Sequence, residues 1–131
     1  MIDFDEITLK HEEYRRRQRA ADTARERATD TSVKLTGMPH GGSGGNASEK
    51  AVIEMVAATE ALEITRKELT ELKKPLRRKM KRLTKWQHID VIRKRYLEGK
   101  AVSVVADEIG YEIRQTTRFI SEAKAIINGE K

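Results

Sequence analysis

The chain has 131 residues, no cysteine, a formal net charge of +6, and 37% charged against only 5% aromatic residues. A chain this polar cannot bury a large core along its whole length, so a compact unit with more exposed extensions is expected. Disulfides and thiolate metal sites are excluded, and no apolar run approaches the roughly 20 residues that span a bilayer.

The charge is uneven. Residues 1–65 hold 9 Lys/Arg and 12 Asp/Glu, whereas residues 66–131 hold 18 and 9. An anionic partner is therefore expected for the C-terminal half. The most basic run, Lys73 to Lys85, sets only Leu76, Met80 and Leu83 against its charges. That is too little apolar surface for a membrane-surface helix, so nucleic acid is the expected partner and a membrane is not. The opening stretch MIDFDEITLKHEE is acidic and lacks the apolar core of a signal peptide, which predicts a cytoplasmic protein.

Residues 1–30 read as a charged N-terminal helix, with Ile7, Tyr14, Ala21, Ala24 and Ala28 forming a thin apolar stripe. Arg15, Arg16, Arg17, Arg19, Arg25 and Arg27 are interleaved with acids. The plainer reading is a solvated helix held by i,i+4 pairs; the alternative is an arm packed on a partner. Residues 31–46, TSVKLTGMPHGGSGGN, hold five glycines and a proline and read as a flexible linker. GGSGG is not a nucleotide cradle, because neither a preceding strand nor a following GK is present.

Asn46 with Glu49 resembles a capping box that opens a long amphipathic helix over 47–74. Val52, Met55, Leu62, Leu69, Leu76 and Leu83 follow a three-four spacing, but Thr59, Arg66 and Lys73 spoil the alternate seam positions, so packing within the same chain is preferred to a coiled coil. Pro75 should kink this helix or begin a new one. Residues 75–131 then form a basic DNA-binding domain. Trp86, Ile89, Ile92, Tyr96 and Leu97 make one stripe of a helix that packs across the last two.

Those last two helices read as a helix-turn-helix. Val102, Val105, Ala106 and Ile109 share one face; Gly110 ends the helix, since glycine enters the left-handed region freely. A second helix begins near Ile113 and packs through Phe119, Ile120, Ala123, Ile126 and Ile127. Its exposed start carries Arg114, Gln115, Thr117 and Arg118, which can reach base edges in a major groove. Lys79, Lys81, Arg82, Lys85, Arg93, Lys94, Lys100 and Ser103 are the candidate phosphate contacts. The plainer reading of this stretch is an ordinary helical hairpin with a polar outer face.

Catalysis finds little support. His11, His40 and His88 lack ligand spacing, Asp107 and Glu108 point to different helix faces, and Ser43 has no neighbouring histidine. No enzyme activity, metal or cofactor is expected.

The order of charged helix, Thr36-Gly37-Met38-Pro39 with Gly41-Gly42, long helix and helix-turn-helix resembles the phage late-gene transcriptional activators of the RinA/ArpU type, over nearly the whole chain. The segment from Val91 to Lys124 also resembles region 4 of bacterial sigma factors. Tyr96, Gly99, Ala106, Gly110, Thr116 and Phe119 match as scaffold. Thr116 departs from the usual Val or Ile, and Glu112 replaces the usual Ser or Thr cap, although its carboxylate favours the helix start electrostatically. The resemblance implies a sequence-specific activator of late phage genes that meets host RNA polymerase in a bacterial cell. The chain as a whole reads as an all-α regulator that binds double-stranded DNA, with residues 1–74 available for a homo-oligomer. The rival readings are a small terminase subunit, which usually carries its DNA-binding unit first, and a structural helical adaptor with a basic face.

Overall fold

Long runs of Glu, Arg, Ala and Leu with few breakers favour helix over any other state, and every regular element among the described residues is helical. The computed structural model describes the backbone of residues 1–36 and 43–129, and the side chains of residues 1–29 and 49–129. The elements are α1 (Phe4–Thr36), α2 (Ser43–Lys79), a 3-10 turn (Met80–Arg82), α3 (Trp86–Ile92), whose continuation Arg93–Leu97 is wound as a π-helix, α4 (Val102–Ile109) and α5 (Ile113–Ile127). They form two units: residues 1–11 with 69–131, and residues 12–68. The first unit holds 17 Lys/Arg against 11 Asp/Glu, and the second holds ten of each, so the whole net charge of +6 belongs to the first.

The first unit is built around one core. Leu76 and Leu83 meet Val91, Ile92 and Tyr96 of the α3 segment, Val105 of α4, and Ile120, Ala123 and Ile127 of α5. Helix α3 packs on both α4 and α5. Ile2, Phe4 and Ile7 complete the same core. Burying a large apolar side chain is worth about 1.5–3 kcal/mol, so this N-terminal segment is a substantial part of the unit's stability. It is also held by polar contacts. Asn128 Oδ1 accepts from the Ile2 amide at 2.8 Å. The Lys124 ammonium lies 5.4 Å from the Phe4 ring centre and 5.9 Å from that of Tyr96, within range of a cation–π attraction.

His11 closes the segment. Its Nε2 lies 2.6 Å from the Tyr96 carbonyl oxygen; a carbonyl only accepts, so the proton sits on Nε2. The same ring covers Gly99, where a Cβ would fall 2.5 Å from His11 Nδ1. Gly99 also has φ +75°, a conformation that costs a side-chain-bearing residue about 1–2 kcal/mol. Two separate demands thus require glycine there.

Among the described residues of the second unit the buried side chains are small: Ala21, Ala24 and Ala28 of α1, and Ala51 and Thr65 of α2. The Thr65 hydroxyl donates to the Ala61 carbonyl at 3.0 Å, which satisfies it inside the helix. An ion pair at 3.9 Å between Arg27 and Glu54 links the two helices.

Several expectations need correction. The compact units divide the chain at 11/12 and 68/69, inside the expected segments 1–30 and 47–74. The start of α1 belongs to the C-terminal core, where Ile2, Phe4 and Ile7 are buried. Pro75 does not begin a new helix; α2 runs through it to Lys79. A proline inside a helix costs about 3 kcal/mol, and Leu69 and Leu76, both buried on either side of it, offset that cost. Residues 31–36 and 43–46 of the expected linker are helical, in α1 and α2. Residues 37–42 and the side chains of Asn46 and Ser48 lie outside the described residues, as does the candidate capping box. Trp86, expected in the buried stripe, is 52% exposed, and Val91 takes its place in the core at 0%. The segment after Ile92 is wound as a π-helix, with Tyr96 buried on the face of Ile92 as expected and Leu97 only partly covered.

Candidate nucleic-acid interface

The α4–α5 pair is set by its turn. Gly110 has φ +79° and nothing within 4 Å of a notional Cβ, so backbone conformation alone demands glycine there. The amides of Gly110 and Tyr111 both donate to the Ala106 carbonyl, at 3.0 and 3.1 Å. This double closure satisfies the end of α4 and turns the chain sharply into α5. Ala106 is buried at the crossing.

Helix α5 divides into two faces. Thr116, Ile120, Ala123 and Ile127 are buried at helical spacing. Thr116, in a slot where an aliphatic side chain was expected, is fully buried, and its hydroxyl donates to the Glu112 carbonyl at 2.9 Å, so no polar group is stranded. Arg114, Thr117 and Arg118 are exposed and Gln115 is half-buried. Together with Ser121 these four residues line one shallow depression. Thr117 donates to the Ile113 carbonyl at 2.9 Å and keeps its lone pairs outward. Glu112 takes the cap position but makes no side-chain capping bond, so the first amides of α5 add a partial positive charge beside Arg114.

The expected phosphate contacts do not form one patch. Arg82 Nη1 donates to the Ile127 carbonyl at 2.6 Å, which places it at the C-terminal end of α5. A helix of 15 residues is about 22 Å long, so Arg82 and Arg114 mark opposite ends. Lys79 is half-buried and Lys81 exposed near the same end. Arg93 pairs with Asp90 and with Glu98. Lys94 and Lys100 both reach Glu108, at 2.9 and 2.7 Å, and Lys100 also meets Glu98 at 3.0 Å. Hydrogen bonds from Lys100 and then Lys94 hold the Glu108 carboxyl below its usual value; the reciprocal bonds, Glu108 first and Glu98 second, raise Lys100. Lys85 and Ser103 are exposed.

Sequence reasoning passed over Arg77 and Arg78, both exposed on the last turn of α2. Their signal was the basic run itself; an expected helix break at Pro75 hid their placement. Nearby Lys73 is different. Its Nζ donates to the Leu97 carbonyl at 3.0 Å, and burial, then the charge of Arg77, lowers its pKa.

His88 is buried, with its ring edge-on to Phe119 at 6.1 Å and Nε2 3.6 Å from Glu122 Oε1. Neither ring nitrogen has a hydrogen-bond partner among the described residues. No group of three or more metal-ligating side chains occurs among the described residues, and no described helix is long and apolar enough to cross a membrane. No family model, curated protein or solved structure matches the chain.

Proposed function

We propose that this protein is a sequence-specific DNA-binding transcriptional regulator whose α4–α5 pair is a helix-turn-helix with α5 as the recognition helix. The observation that carries the reading is the single exposed surface of Arg114, Gln115, Thr117 and Arg118. These are side chains able to pair with base edges in a major groove, and they sit in the unit that holds the whole net positive charge. Phosphate contacts flank the recognition helix, with Lys85 and Ser103 exposed for the task and Lys81 exposed towards the far end of α5. On the resemblance to the late-gene activators, we further propose activation of late phage genes together with host RNA polymerase, in the cytoplasm of a bacterial host. Self-association is proposed through α2, where Ile53, Val56 and Ile64 are exposed, rather than through the N-terminal residues that serve the core.

The test is selection of bound duplex from a random pool, followed by titration of the enriched sequence and of the starting pool at one salt concentration. A specific protein binds its enriched site at least about 1000-fold tighter than bulk DNA. Enrichment of no sequence would remove the reading as a specific regulator.

A further inference from the structure

Trp86 is the only tryptophan of the chain, and it stands at the first turn of α3 with about half of its surface open. It is not isolated. Its ring centre lies 6.1 Å from that of Tyr111, in the turn before α5, and Tyr111 in turn packs edge-on against Phe119 at 5.0 Å. Gln87 Nε2 donates to the Tyr111 hydroxyl at 3.3 Å, which fixes the phenol. Ile113, the first residue of α5, is 55% exposed. Trp86 and Ile113 thus flank Tyr111 at the N-terminal end of α5. Lys85 precedes Trp86 in the chain and Arg114 follows Ile113, and both cations are exposed.

A single exposed apolar side chain is ordinary. Here two large ones flank a half-buried tyrosine where the proposed base-reading helix begins. Trp86 is not part of the core cluster, to which α3 contributes Val91 and Ile92, both fully buried. An indole offers an apolar face and one N–H donor, which suits a deoxyribose ring beside a phosphate oxygen.

We propose that Trp86, with Lys85 and Ile113, is a further DNA-contact site, which packs on the sugar–phosphate backbone bordering the groove that α5 enters. This rests on the DNA-binding reading. The occupant is duplex DNA because exposed Lys85 and Arg114 adjoin Trp86 and Ile113 in the chain, at the start of the proposed base-reading helix and in the unit with net charge +6. The contact fixes the angle at which α5 is presented, and carries no sequence information of its own.

The single tryptophan makes the experiment direct. A fluorescein-labelled random-sequence duplex is titrated with the full chain at low salt, and anisotropy reports binding. With an unlabelled copy of the duplex at saturation, acrylamide quenching of Trp86 reports its exposure. Binding with quenching reduced by about half or more is the expected result, since a backbone contact removes the open half of the indole from solvent. The Trp86→Ala variant, checked for unchanged helicity, should bind about tenfold more weakly with an unchanged salt slope, because the indole carries no charge. Lys85→Ala should lower the log–log salt slope by about one. Trp86→Phe keeps most of the apolar area and should fall between. A rise in anisotropy with unchanged quenching of Trp86 overturns this site and leaves the DNA-binding reading standing. No rise in anisotropy at low salt overturns both.

Discussion

Replacing Gly99 by alanine probes how the N-terminal segment is seated. The backbone cost comes first. A side-chain-bearing residue at φ +75° is disfavoured by about 1–2 kcal/mol. The steric cost comes second. The new Cβ would lie 2.5 Å from His11 Nδ1 and 2.8 Å from Cγ, well inside contact distance. The ring cannot swing away without losing the 2.6 Å bond from Nε2 to the Tyr96 carbonyl, and overpacking of this kind costs about 1–3 kcal/mol. Gly99→Ala should therefore destabilise the chain by about 2–5 kcal/mol in all. Gly110→Ala is the internal control. It has nearly the same φ, +79°, and open space where the Cβ would go, so it should cost only the backbone share, about 1–2 kcal/mol. The loss of unfolded-chain entropy on Gly→Ala is common to both and cancels in the comparison. The decisive measurement is a double-mutant cycle by urea unfolding followed by circular dichroism. His11→Ala alone leaves the Tyr96 carbonyl without this partner, at a cost of about 1–3 kcal/mol. In that background Gly99→Ala should lose its steric share and cost about as much as Gly110→Ala. Equal costs for the two glycines in the wild-type chain, or no relief from His11→Ala, would show that the His11 ring does not cover Gly99.

Four further outcomes are expected. Arg114→Ala or Arg118→Ala should cost about 1–3 kcal/mol on the enriched site and much less on pool DNA; equal losses on both, titrated at one salt concentration, would make these arginines phosphate contacts only. Glu108→Gln should release Lys94 and Lys100 and raise the affinity for random duplex together with the salt slope, unless those lysines never meet phosphate, in which case titration shows no change. The same variant bears on acid stability: the lowered carboxyl of Glu108 contributes stability above its ordinary 4.5 that is lost as pH falls through the lower folded value, so the urea midpoints of wild type and Glu108→Gln should differ near neutrality and converge in acid, and a constant gap would refute the coupling. Deleting residues 1–11 should unfold the first unit or weaken it severely, because Ile2, Phe4 and Ile7 leave its core; cooperative unfolding of a 12–131 chain at the wild-type urea midpoint would contradict the placement of that segment.

Much of the site was legible in the primary structure because its cues are local. Gly110 four residues after Ala106 marks a left-handed helix end whatever lies around it. The spacing of Ile120, Ala123 and Ile127 sets which face of α5 is buried, and Arg114 and Arg118 are exposed by the same periodicity. Charge counting likewise locates the basic unit without coordinates. Cues that depend on partners distant in the chain were not legible. Nothing near Ile2, Phe4 or Ile7 says that they join residues beyond Leu69, since an apolar residue specifies burial but not against what. Pro75 reads as a break because the local cost is plain; only the burial of Leu69 and Leu76 reveals what offsets it. The stripe through Ile92 and Tyr96 is read from spacing, but which end of it stays in solvent is set by packing, and Trp86, at the first turn of α3, is left outside. Which cations remain available for phosphate was also decided in three dimensions, because Glu108 lies eight residues from Lys100 and fourteen from Lys94, and the fold alone brings the three together. Local sequence thus determined the helices, their faces and the charge of the unit; tertiary packing decided which of those faces meet, because long-range burial and ion pairing depend on distances that no short stretch of chain contains.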